Sequence, residues 1–157
     1  MNGSVGCMSR EEIMAFAERF LMEEGIAGYR PEWAVRDLGL EEGPDIFGLS
    51  RRKSIQVRIL TSYEELISHQ RSNCAVMPET DCGQLRAYFC EEGVITPRMI
   101  TGGWGLYVVT ARGKVREDVR PANQQASLAR EHEILSVVLD VCGMPRKKCI
   151  SLSCLSY

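Results

Sequence analysis

Long apolar runs are missing from this chain. Nothing in it approaches the roughly 20 consecutive apolar residues that span a bilayer. The opening stretch, MNGSVGCMSREE, holds no apolar segment of signal-peptide length. The expectation is a cytoplasmic protein with no membrane partner. Paired metal-ligand spacings are missing too: there is no CxxC pair and no CxxC/HxxxH arrangement, although Cys74, Cys82 and Cys90 are eight apart. No structural zinc is expected. The cysteines number seven, an odd count that cannot pair completely within the chain; without a leader they read as reduced thiols. Histidine is scarce, with only His69 and His132, so a Cys–His nucleophilic site would need one of these two beside a thiol. Basic charge is not in excess: the net charge is −2. A free-standing, sequence-independent DNA binder is clearly basic, so any nucleic-acid contact must come from a local patch. No internal repeat is visible. Gly102-Gly103-Trp104-Gly105 has no following Lys-Ser/Thr and leads into a strand, so it is not a P-loop. Trp104 reads as a core or edge anchor.

What is present is an ordinary globular composition, 45% apolar and 25% charged over 157 residues, enough for one domain with a real core. Residues 1–8 are expected to be a flexible N-terminus, 9–142 one domain, and 143–157 a Cys/Ser-rich tail with basic Arg146, Lys147 and Lys148. The clearest helix covers 9–24. Ser9 and Glu12 have capping-box spacing, and Ile13, Phe16, Ala17, Phe20 and Leu21 make one stripe. Gly25 is a natural stop. Strands are expected at 29–36, 45–49, 54–61 and 85–90. A second helix begins at Thr61 or Ser62, with Glu64 and Glu65 in its first turn. Residues 73–84 read as a loop, and 96–100 as a single turn. A later hairpin covers 104–110 and 114–119. A last helix covers 127–141, with Leu128, Ile134, Leu135, Val138 and Leu139 on its apolar side. This order predicts an α/β or α+β fold, a small mixed sheet flanked by helices.

The hairpin at 43–66 organises the rest. Asp45 opens its first strand. Its second strand puts Ile55, Val57 and Ile59 on one face and Gln56, Arg58 and Leu60 on the other. A carboxylate on one strand with polar groups on its neighbour is how many nucleases hold a catalytic metal, yet the second strand here supplies no carboxylate. Arg51, Arg52 and Lys53 sit at the connecting turn and are the candidate phosphate contacts. Arg112, Lys114, Arg116 and Arg120 are diluted by Glu117 and Asp118 and read as a solvated face.

Three patches carry a resemblance. They are Pro44-Asp45-Ile46; the strand running into Thr61-Ser62-Tyr63-Glu64-Glu65-Leu66; and Ala87-Tyr88-Phe89-Cys90-Glu91-Glu92-Gly93-Val94-Ile95 leading to Gly103-Trp104-Gly105-Leu106-Tyr107. In this order they resemble the restriction-endonuclease-like, or PD-(D/E)xK, superfamily, and are most similar to its MmcB-like DNA-repair family. The resemblance implies a nuclease fold in which an Asp and an ExK strand hold Mg²⁺ for phosphodiester hydrolysis. Asp45 stands at the Asp position. One register puts Arg58 at the Glu position and Leu60 at the Lys position; another puts Gln56 and Arg58 there. In either, the carboxylate pair is missing, and Asp45, Gln56 and Arg58 are the positions of a degenerate catalytic site. The preferred register predicts an Asp45–Arg58 ion pair in place of a metal, with no cofactor. The expected role is DNA repair or DNA handling without cleavage, with DNA or other repair proteins as partners. One alternative is a divergent Mg²⁺-dependent endonuclease using Asp45, Gln56 and an acid such as Glu12 or Glu18. Another is a protein-interaction module that reuses the fold.

Overall fold

The computed structural model describes residues 7–142. Helix α1 (Arg10–Glu23) starts at a complete capping box: the Ser9 side chain accepts the Glu12 N–H, and the Glu12 carboxylate accepts the Ser9 N–H. It ends before Gly25, whose φ of +79° suits glycine and whose missing Cβ would meet Tyr29 O at 2.4 Å. Four strands follow, with helices between the last two: β1 (Trp33–Arg36), β2 (Ile46–Leu49), β3 (Ser54–Leu60), α2 (Tyr63–Gln70), α3 (Asn73–Val76) and β4 (Leu85–Glu91). The chain continues through β5 (Gly105–Val109), β6 (Val115–Val119) and α4 (Leu128–Val141).

The fold is mixed α+β, with one six-stranded sheet in the order β1-β2-β3-β4-β5-β6. The first three strands form an antiparallel meander, β4 and β5 add in parallel, and β6 returns antiparallel. Parallel neighbours require a crossover; α2 and α3 supply it between β3 and β4. No helix among the described residues is long and apolar enough to cross a membrane.

Helices cover both faces. On one, Ile13, Met14, Ala17 and Leu21 of α1 pack on Ile55, Val57, Ile59, Phe89 and Tyr107. Phe89 and Tyr107 are stacked with centroids 5.1 Å apart. The other face carries two separate apolar clusters. One gathers Leu60, Leu66, Tyr88, Trp104 and Leu106 around α2. The other joins Phe47 and Cys82 to Ile134 and Val138 of α4. Ser54, Gln56, Asp81 and Arg86 are polar groups buried outside these clusters.

Several expectations need correction. The 29–36 strand contracts to Trp33–Arg36, because Ile26 and Tyr29 bridge to each other around a tight turn. The expected 73–84 loop contains α3, capped by the Ser72 side chain, and a 3₁₀ turn at Pro78–Thr80. On α4, Leu128 and Leu139 are exposed while Ile134 and Val138 are buried: the helix rests on the sheet along a narrower stripe than its sequence offers. Cys7, Cys74, Cys82, Cys90 and Cys142 are free thiols. Cys149, Cys154 and the Arg146-Lys147-Lys148 cluster lie outside the described residues.

Candidate functional site

Asp45 sits where β2 is about to begin and β3 has one more turn of its pleat to run. Its backbone N–H donates to Val57 O at 3.0 Å, one residue out of the ladder in which Ile46 pairs Val57. The side chain then supplies what β2 no longer can. Asp45 Oδ2 accepts the Ile59 N–H at 2.7 Å, satisfying a donor at the end of the shared ladder.

The cation beside Asp45 is Arg10, not Arg58. Arg10 is the first residue of α1, and its Nη1 lies 3.5 Å from Asp45 Oδ2. The same nitrogen donates to Ile59 O at 3.1 Å, and Nη2 contacts Glu65 Oε2. The other Glu65 oxygen accepts the Thr61 N–H and hydroxyl in front of α2. One guanidinium therefore bridges α1, the start of β2, the end of β3 and the first turn of α2.

Arg58 is engaged elsewhere. Its Nε donates to Gln56 Oε1 at 2.7 Å and its Nη2 to Glu42 O at 2.5 Å. The expected Asp45–Arg58 ion pair is absent among the described contacts, although both residues border one cleft and continuing the ladder past Ile46 brings them level. The reason is local. Asp45 turns its carboxylate onto β3's backbone, and Arg58 is drawn toward the 38–44 loop, where Glu42 adopts a φ of 53°. Gln56 is fully buried; its amide donates to Cys82 O at 2.7 Å and accepts Arg58. Both ends of the amide are turned to Cys82 and Arg58 rather than to Asp45. Glu12 is spent in its capping box, and Glu18 pairs with Arg36 at 3.1 Å. Neither reaches the cleft.

The cleft, about 290 Å³, is lined by Arg10, Asp45, Arg58, Ile59, Leu60, Glu65, Ser68 and His69. His69 Nδ1 lies 2.6 Å from the Tyr88 hydroxyl. Its ring meets Trp104 edge-on at 4.9 Å, and Trp104 stacks on Tyr88 at 4.3 Å. Trp104 is thus the core anchor expected of it. Burial, with Arg58 and Arg86 adding positive potential, pushes the His69 imidazole down to about 3, and burial raises the Tyr88 phenol. At neutral pH the histidine is uncharged. Burial likewise raises the Cys74, Cys82 and Cys90 thiols, which disfavours the nucleophilic thiolate.

The phosphate-contact candidates are not brought to this cleft. Arg51, Arg52 and Lys53 lie at the opposite end of the β2–β3 hairpin, Lys53 being about 17 Å from Arg58 along the strand at ~3.3 Å per residue. Arg51 pairs with Glu32 at 3.2 Å, and the Lys53 ammonium sits 5.7 Å from the Tyr29 ring centroid. On β6, Arg116 is held by Glu92 and Asp118.

A divalent metal does not fit the residues as they stand. Asp45 is already ligated by a backbone N–H and a guanidinium, and β3 adds Arg58 rather than a carboxylate. Among the described residues no three His, Cys, Asp or Glu side chains converge as a metal site. Sequence reasoning missed Arg10. The signal was a cation in the first turn of α1, where the helix dipole disfavours positive charge and acidic partners elsewhere must compensate. No protein-family model, no curated protein and no solved structure matches this chain.

Proposed function

We propose that this chain is a nuclease-like protein that handles nucleic acid without cutting it, of the PD-(D/E)xK type and similar to the MmcB-like DNA-repair family. One observation carries the reading: the side chain of β3 level with Asp45 is Arg58, so β3 offers the cleft positive charge instead of a second carboxylate. Hydrolysis of a phosphodiester by a bound hard cation requires carboxylate oxygens to hold that cation and orient its water. With one strand contributing Asp45 and the other contributing none, the cleft keeps the shape of such a site and loses its chemistry.

A second reading is favoured by the pairing of the basic side chains. Arg51 and Arg116 are bound to acids of the same surface, which lowers their availability to phosphate. That supports a scaffold whose partners are proteins, DNA-repair proteins among them. Two measurements separate the readings. Supercoiled plasmid incubated with Mg²⁺ or Mn²⁺ should remain intact; nicking that disappears in Asp45→Asn would establish a divergent nuclease instead. Fluorescence anisotropy of labelled single- and double-stranded DNA, taken across a salt series, should give an affinity that falls with salt. No binding even at low salt would discard the nucleic-acid reading and leave the scaffold.

A further inference from the structure

We infer that Arg10 is a tethered cation filling an oxygen-lined site that, without it, takes a hard divalent ion. This deepens the proposed loss of cleavage at the Asp45 cleft and rests on that reading. Three oxygens of different origin converge on one guanidinium: Asp45 Oδ2, the Ile59 carbonyl and Glu65 Oε2. Two are carboxylates and one is a backbone carbonyl, the donor set that Mg²⁺ and Mn²⁺ prefer. The cleft beside them, about 290 Å³, has room for the several waters such an ion retains.

Charge accounts for the exchange. Asp45 and Glu65 both pair with the Arg10 guanidinium, which offsets their negative charge from within the chain. Arg10 also has the means to be displaced. It stands at the first position of α1, and its side chain is 41% exposed. Asp45 and Glu65 are fixed independently of it, Asp45 by the Ile59 N–H and Glu65 by the Thr61 N–H and the Ser62 cap. Removing the guanidinium therefore leaves the oxygens in place rather than dispersing them.

The test reads thermal stability, with Mn²⁺ as the probe, on the full chain. Arg10→Ala should lower Tm by roughly 5 °C, as loss of two partly exposed ion pairs and a charged hydrogen bond predicts. Millimolar Mn²⁺ should restore most of that loss, because an ion that binds only the native state stabilises it by mass action. The unsubstituted protein should not respond, and Arg10→Ala combined with Asp45→Asn should not be rescued. If Arg10→Ala is unfolded at room temperature, refolding it from urea with and without Mn²⁺ reads the same point: the ion should bring back the native signal. Failure of Mn²⁺ to stabilise Arg10→Ala, or equal stabilisation after Asp45→Asn, overturns the tethered-cation inference and leaves the non-cleaving reading intact. Asp45-dependent stabilisation of the unsubstituted protein overturns the inference by showing that Arg10 does not exclude the ion. Whether the non-cleaving reading falls with it is decided by the plasmid assay.

Discussion

Toward α1, strand β3 presents Ile55, Val57 and Ile59; toward α2 and α4 it presents Ser54, Gln56, Arg58 and Leu60. The first set belongs to one continuous apolar cluster. Of the second, Leu60 joins the apolar cluster around α2, while Ser54, Gln56 and Arg58 form a polar seam hydrogen-bonded to loops and to α4. Ser54 Oγ donates to Glu131 of α4 at 2.6 Å, and Glu131 also accepts the Gly83 N–H at 2.8 Å. Arg86 is 1% exposed, its Nε donating to the Gly83 carbonyl and its Nη2 to those of Pro78, Asp81 and Gln125. Apolar burial is non-directional and tolerates changes that conserve volume. A buried polar seam does not, because each orphaned donor or acceptor keeps its full desolvation cost. The cleft opens at the end of the polar face, so its geometry depends on the less forgiving half of the sheet.

The largest effect should come from Arg86. Arg86→Met keeps much of the volume and removes every donor: the carbonyls of Gly83 and Gln125 lose their side-chain partner, while those of Pro78 and Asp81 keep a backbone N–H each; it should cost about 3 kcal/mol or more. Ile55→Val on the opposite face should cost about 1 kcal/mol. Urea unfolding curves measure both. Equal costs would mean that the seam is no more demanding than the apolar face.

Next comes pH. His69 is held near 3 when folded and returns to about 6.5 when unfolded. Between these values the unfolded state binds more protons, so stability falls as pH drops below 6.5 and is retained above it. At pH 4 the loss from this group should be on the order of 3 kcal/mol. His69→Phe should flatten that part of the profile, whatever it costs at pH 7. An unchanged slope would show that the imidazole is not desolvated.

Smaller effects should separate Arg10 from Arg58. Arg58→Ala should cost about 1–2 kcal/mol, because Gln56 Oε1 is left unpaired in a fully buried side chain. In double-mutant cycles, Asp45→Ala should couple to Arg10→Ala by about 0.5–1 kcal/mol and to Arg58→Ala by less. The reverse order would restore the Asp45–Arg58 pair that the sequence suggested. The smallest change is expected at the far turn: Arg51 is 89% exposed, and Arg51→Ala should alter stability by under about 0.5 kcal/mol. If that turn touches phosphate, the same substitution should reduce the salt slope of DNA binding by about one.

The order of elements was legible in the sequence because it depends on local signals. Ser9 and Glu12 cap α1, alternation marks β3, and turn residues divide the strands. The carboxylate at Asp45 and the missing carboxylate on β3 were legible for the same reason: each is a statement about which residue occupies a strand position. The partner of Asp45 was not. Arg58 was the cation nearest along the hairpin, whereas Arg10 lies 35 positions before Asp45 in the chain and reaches it only once α1 has packed across the sheet. Nor could the sequence reveal that Gln56 and Arg58 satisfy each other and the backbone of Cys82 and Glu42, since those partners come from loops between strands. Local propensity and alternation determined which residues share a face. Only the packing of helices and loops onto that face decided which donors meet which acceptors, because a hydrogen bond requires placement within about 3 Å, and sequence spacing alone does not supply it across separate elements.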